Sequence, residues 1–353
     1  MTTKREFLEA LNARLATLPE AERARLTDYF TELIDDRLEL GMDESAAVSA
    51  LGDIDALLRD AAPQASLPAV SSGASDYREA IGEVRVHLRN ADGVITAASL
   101  PEGMSAQISA SESNRFTWAL EGGVLTVREV EAVRRSLFMR GAELTVALSG
   151  CAPEKVIVDS YGGDISLKGL DIGNMLVASS SSGDIEVKRT TVGGRTEVTL
   201  RSGDLDLSEV TVNGDCKVET TSGDVTVRRG RFAALRLRTA SGDVDGERVE
   251  ADTAAIGTTS GDVDLNGFAA RALQCETSSG DIEMRRVDVG GASLSTASGD
   301  ITLRLNPRPE GYRIQAQSRT GEVAVRQPAP AGEGAAAVHA VSQNGDISIG
   351  VQE

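Results

Sequence analysis

The chain has 353 residues, and its 54 acidic against 36 basic side chains give a formal charge of −18, spread along the length rather than gathered in a tail. That balance excludes the basic patches with which proteins hold nucleic acid or anionic lipid, and aromatics at 3 % leave few rings on which bases or sugars could stack. The start, Met1-Thr2-Thr3-Lys4-Arg5-Glu6-Phe7, has no apolar core of a secretory signal. No run nears the roughly 18 apolar residues of a spanning helix, so direct membrane insertion is not expected and the reading is cytoplasmic.

Residues 1–60 predict a small all-α domain. Thr3-Lys4-Arg5-Glu6 has the form of a capping box, and Phe7, Leu8, Leu11, Leu15 and Leu18 follow at helical spacing. Pro19 suits the first turn of a second helix, where its missing N–H costs nothing. Leu26, Tyr29, Phe30, Leu33, Ile34 and Leu38 form the stripe of that helix, and Gly41 ends it. A short third helix carries Val48 and Leu51, and Asp53 caps a last turn. So small a core suggests that the module packs on something else. The faces around Phe7, Tyr29 and Phe30 are the candidate partner-binding surface, for a regulator or a membrane protein. With 7 basic against 14 acidic residues over 1–62, these helices are not DNA readers.

Lys4-Arg5-Glu6-Phe7-Leu8, Leu18-Pro19-Glu20-Ala21-Glu22-Arg23 and Ala50-Leu51-Gly52-Asp53 resemble the bacterial HAAS signalling-domain family. The resemblance implies a helical module of membrane-linked or transcription-linked regulators, often found with PadR-like proteins. It implies a location peripheral to the membrane, reached through a partner.

Residues 61–76 are rich in Ala, Ser and Pro without periodicity and read as a flexible linker. Residues 77–154 alternate as strands do, for example Val84-Arg85-Val86-His87-Leu88 and Leu144-Thr145-Val146-Ala147-Leu148. They read as atypical first rungs or a cap, with Gly93 and Gly122-Gly123 marking degenerate copies and Trp118 in core or cap packing.

Residues 155–353 are a regular array. Ser182-Gly183-Asp184-Ile185-Glu186-Val187 returns with glycines at Gly203, Gly223, Gly242, Gly261, Gly280 and Gly299, and in weaker form at Gly163, Gly321 and Gly345. The successive spacings are 20, 20, 20, 19, 19, 19, 19, 22 and 24. A period near twenty means a solenoid. The fold class is therefore mainly β, a single-stranded parallel β-helix or β-solenoid with rungs of about 19–20 residues, preceded by the helical domain. Apolar residues recur two and four places after each glycine and five before it, which puts them on one face of a strand. A threonine column three before the glycine and a serine column one before it continue that parity, so both are expected to line the corner. Gly183, Gly203, Gly223, Gly242, Gly261, Gly280 and Gly299 are the structural turn residues. This half resembles the bacterial "putative adhesin" β-solenoid family, a domain of unknown function with such Ser-Gly-Asp repeats. HAAS-like helices joined to that solenoid imply envelope-stress regulation.

The sharpest chemical candidate is the aspartate column Asp184, Asp204, Asp224, Asp243, Asp262, Asp281 and Asp300, extended by Asp164, Glu322 and Asp346. Carboxylates about 5 Å apart repel by roughly 1 kcal/mol per pair even in water, so something must offset the repulsion. One answer is that each aspartate accepts turn N–H groups in a solvated edge. The other is calcium held between rungs, which wants six to eight oxygens. The only histidines, His87 and His339, lie far apart in sequence, and no nucleophile–base pair is legible. The densest basic group, Arg228, Arg229, Arg231, Arg236 and Arg238, reads as a solvated face. Cys151, Cys216 and Cys275 lack ligand spacing and read as thiols without a metal or a bridge. No catalytic residue and no firm cofactor emerges. The last strand, through Ile347-Ser348-Ile349-Gly350-Val351, reads as an uncapped edge open to end-to-end self-association, unless residues 326–338 fold over it. The expected function is a non-enzymatic interaction or scaffold protein; a surface adhesin and a carbohydrate-active β-helix enzyme are the alternatives.

Overall fold

A computed structural model describes residues 3, 4, 7, 8, 11, 14, 27, 31, 75–130, 142–327 and 330–352. They belong to two compact units, Met1–Ala69 and Val70–Glu353. In the first, Lys4, Phe7, Leu8, Leu11, Arg14, Thr27 and Thr31 are helical. The Phe7 N–H donates to the Thr3 carbonyl at 3.1 Å, and the Thr31 hydroxyl to the Thr27 carbonyl at 2.7 Å. Phe7 and Leu11, one turn apart, are 1 % and 0 % exposed. Phe7 is thus an inward residue, which corrects its expected place on a docking face: an apolar stripe at i and i+4 is what a helix buries. Tyr29 and Phe30, the later helices and the linker before residue 75 lie outside the described residues.

The second unit winds its 27 described strands into one sheet. A regular rung has three sides. Met175–Ser182 forms the long side, Ile185–Lys188 the second and Thr191–Val192 the third. Corners fall at Gly183-Asp184, Arg189-Thr190 and Gly193-Gly194. Successive rungs pair in parallel and in register, so Ile165, Ile185, Leu205, Val225, Val244, Val263, Ile282 and Ile301 stack as one column. Each of them is no more than 1 % exposed. Burying such a side chain contributes about 1.5–3 kcal/mol, repeated at every rung. A one-residue slip would turn every column outward, and that fixes the register.

The change from 20 to 19 residues per rung is absorbed at the third corner, where Val212 and Asp215 pair with Phe232 and Ala234. The long and second sides keep their pairing across it. The threonine column is buried, at Thr220, Thr239, Thr258, Thr277 and Thr296. The serine column is not: Ser182, Ser202, Ser222, Ser241, Ser260, Ser279 and Ser298 are exposed. The chain is already turning at the serine, so strand parity no longer governs its direction.

Both ends depart from chain order. Glu83–Leu88 and Asp92–Ala97 form a rung that pairs forward with Lys155–Ser160 and Ile165–Lys168, and backward with Val124–Glu129 and Glu143–Leu148. The corner of this rung is Ala91-Asp92, and Gly93 stands in register with Ile165 as a strand residue, not a corner glycine. Gly122-Gly123, both with positive φ, turn a hairpin whose first strand, Phe116–Glu121, runs antiparallel to Val124–Glu129. That is not a rung corner either. At the far end Ala336–Asn344 and Ile347–Val351 lie directly on Gly291–Ser298 and Ile301–Leu305, while the earlier Tyr312–Ser318 and Val323–Arg326 lie outside them. The strand expected to be the open edge is therefore paired on both sides.

Candidate functional site

The corner after the long side carries the repeated motif. A Cβ built on Gly242 would lie 2.1 Å from the carbonyl oxygen of Gly223, and one on Gly280 would lie 1.9 Å from that of Gly261. Glycine is required there because the backbones of adjoining rungs meet. The same carbonyls accept hydroxyls from the threonine column: Thr258, Thr277 and Thr296 donate to Gly242, Gly261 and Gly280 at 3.2 Å. The hydroxyls of Ser180 and Thr220, in the same column, have no partner.

Each aspartate links two rungs. Its Oδ1 accepts the backbone N–H of the acidic residue in the next rung, over ten successive links of 2.7–3.0 Å from Asp92 to Glu322. The aspartate carbonyl in turn accepts from the following residue of the previous rung, as in Ile165 to Asp184 and Val225 to Asp243, both at 2.9 Å. The side chain supplies the acceptor that the corner backbone lacks. Among the described residues no group of three or more His, Cys, Asp or Glu side chains could hold a metal ion. The carboxylates stand in single file, one per corner, and from Asp92 to Asp346 one oxygen of each is bound to a protein N–H.

The second corner was not legible. Arg189, Glu209, Arg229, Arg248 and Arg286 all have φ between +49° and +58°, and Gly169 and Gly267 hold the same place. Beside this corner run ladders of opposite charge: Lys168–Glu186 at 2.9 Å, Arg228–Asp206 at 2.7 Å and Arg229–Glu209 at 2.6 Å. Two members of the expected basic face are thus tied to carboxylates of the preceding rung. Arg231 meets Glu250 at 3.2 Å, while Arg236 and Arg238 project from the long side as exposed residues. On the third side the shorter rungs recess into an open groove of about 730 Å³, floored by Phe232, Ala251 and Ala270 and flanked by Arg271 and Asp288.

Near the other end His87 Nδ1 lies 2.5 Å from Asp159 Oδ1, joining residues 72 apart in sequence. Glu129, 7 % exposed, accepts the N–H groups of Arg89, Asn90 and Ala91 at 2.7, 2.9 and 3.0 Å and pairs with Arg115. Burial pushes its carboxyl up, but these donors more than offset that and hold it below the usual range. Cys216 and Cys275 are buried and Cys151 partly so, all three as free thiols; burial pushes the Cys216 thiol up to about 12.

The Toastrack DUF4097 family matches residues 83–229 and again residues 196–351. The chain belongs to the Toastrack DUF4097 family. Ahead of the toastrack solenoid, residues 6–60 match the HAAS family. Solved structures similar to this toastrack chain include a "putative adhesin" from Bacteroides fragilis NCTC 9343, 10 % identical, covering 81 % of this chain and 99 % of that one with a TM-score of 0.33. Another is a "Putative lipid binding protein" from Parabacteroides distasonis ATCC 8503, 12 % identical, covering 80 % and 96 % with a TM-score of 0.30. No curated protein matches the chain.

Proposed function

We propose that this toastrack protein is a non-enzymatic scaffold of bacterial envelope-stress or regulatory signalling, in which the HAAS module docks on a regulator or membrane protein and the solenoid presents a rigid surface. The observation that carries this reading is the joining of a HAAS segment at residues 6–60 to a toastrack array. The array supports it physically. The corner carboxylates and much of the basic face are spent on bonds between rungs, as expected of a scaffold whose faces hold a fixed shape. No helix among the described residues is long and apolar enough to cross a membrane. The location that goes with the proposed role is the cytoplasm, at the membrane only through the partner. The test is crosslinked affinity capture from native cells with the full chain and with a chain lacking residues 1–60. Recovery of a membrane regulator or transcription factor only when residues 1–60 are present is the expected result. Recovery of the protein alone, or of envelope polymer held by the solenoid, would overturn it.

A further inference from the structure

The two ends of the solenoid are finished differently. At one end Phe116–Glu121, Ala106–Ala110 and Ser75–Tyr77 lie antiparallel over the stack, with Phe116 and Trp118 buried at 3 % and 1 % exposure. Antiparallel strands with bulky rings close the core, as a capping repeat must. At the other end Tyr312–Ser318 and Val323–Arg326 each pair on one side only among the described residues. Val323 and Val325 stand in register with Ile347 and Ile349, which are 1 % exposed, yet are themselves 43 % and 45 % exposed. Residues 330–335 do not cover them. That segment bonds back to the start of the rung, with Gly332 N–H on the Glu310 carbonyl at 2.8 Å.

The charge at this end is as uneven as its cover. Within the array, basic side chains beside the second corner meet carboxylates one rung away, as Arg228 meets Asp206, while Arg236 and Arg238 of the long side meet none among the described residues. On the terminal rung Arg313, Arg319 and Arg326 are exposed, and none forms an ion pair with a described residue. Among the described residues no further rung lies beyond them to supply carboxylates. Edge-to-edge pairing of two copies would instead gather both sets of arginines along one seam.

Resting on the reading of the protein as a scaffold, we propose that the open terminal rung is a docking site for an extended acidic segment of a partner protein. The segment adds as a further strand along the edge of the rung. Its apolar residues cover Val323 and Val325, its backbone takes up the free edge groups, and its carboxylates meet Arg313, Arg319 and Arg326. This is strand addition with charge selection.

The test uses the full-length protein and a fluorescein-labelled peptide of alternating valine and glutamate, about eight residues long, within the usual strand length. A valine–lysine peptide is the control, and fluorescence anisotropy is the readout. Saturable binding of the acidic peptide is expected, weakened at least about tenfold by Val325→Lys, by Arg313→Glu with Arg326→Glu, and by salt at about 0.5 M. The lysine peptide should bind only the double glutamate variant. These substitutions are at exposed positions, and circular dichroism checks that both variants fold. Equal binding of the two peptides, indifference to both variants, or no saturation by about 1 mM would overturn the proposal. So would a dimer or polymer by light scattering that Val325→Lys dissolves, because the end would then belong to a second copy. None of these outcomes bears on capture through residues 1–60, so the two readings fail separately.

Discussion

Gly242→Ala isolates the contact that sets the corner. Gly242 has φ +154°, and a Cβ there would stand 2.1 Å from the Gly223 carbonyl oxygen, 2.6 Å from its carbon and 3.2 Å from Asp224 Oδ1. Two costs add. Backbone in this region is almost confined to glycine, at about 1–3 kcal/mol for another residue. Relieving the contact requires the rungs to part by about 1 Å in a close-packed interior, typically another 1–3 kcal/mol. Parting them also stretches two bonds at that corner, Asp243 N–H to Asp224 at 2.8 Å and the Thr239 hydroxyl to the Gly223 carbonyl at 3.5 Å. The expected loss is about 2–6 kcal/mol.

The control is Gly103→Ala. Gly103 also has positive φ, +81°, but nothing lies within 4 Å of its added Cβ. It carries the conformational cost alone, about 1–2 kcal/mol, part of which returns through a less flexible unfolded chain. Urea unfolding followed by circular dichroism compares the two. If Gly242→Ala loses no more than about 1 kcal/mol beyond Gly103→Ala, the inter-rung approach is not what demands glycine.

Four further outcomes follow from the same geometry. Asp224→Asn keeps an acceptor for Asp243 N–H and removes one charge from the column, so it should match or exceed the native stability, whereas Asp224→Ala should lose about 1–3 kcal/mol in the same urea assay. Arg189→Gly should stabilise by about 0.5–1 kcal/mol in thermal melts, because φ +49° costs arginine more than glycine's added freedom does. Glu129→Gln should lose about 2–4 kcal/mol at neutral pH by breaking the Arg115 pair; because the folded-state pKa is depressed, that stabilisation is full above the unfolded carboxyl value and disappears as pH falls through the folded one, so the difference from the native protein should shrink in acid melts. With a disulfide-exchange reagent at neutral pH, Cys216 and Cys275 should stay silent in the folded protein and react on unfolding, leaving Cys151 as the one thiol open to slow reaction.

What was legible in the sequence is what repeats at fixed spacing. Ile185, Leu205, Val225 and Val244 declare their column because period two and period twenty coincide there. The serine column misled because it sits where the strand ends and parity stops. The second corner hid for the opposite reason: Arg189, Glu209 and Arg229 do not look like residues of positive φ, and only Gly169 and Gly267 hinted at it. Glu129 and its three donors are about 40 residues apart, and His87 and Asp159 are 72 apart, so no spacing rule joins them. The helix faces around Phe7 were ambiguous from the start, since an aromatic residue on an apolar stripe can serve a core or a partner.

The order of the last rungs was hidden for a reason internal to solenoids. Like stacks on like, so every copy is a fair neighbour for every other, and local sequence scarcely says which lies next. Fitness for the ladder does say. Asn344-Gly345-Asp346 is nearer the repeat than Thr320-Gly321-Glu322, and it is the copy that lies against Ser298-Gly299-Asp300. The weaker copy is left outermost, where only one of its sides must fit. The direction of the ladder then separates the two ends chemically. Each corner carboxylate accepts from the rung that follows it in space, so at the capped end Asp92 already binds the Asp164 N–H. At the open end Glu322 donates its N–H to Asp346 at 2.8 Å, and no described rung lies beyond to use its carboxylate. A strand arriving there meets an empty acceptor, two uncovered valines and three arginines that pair with no described carboxylate.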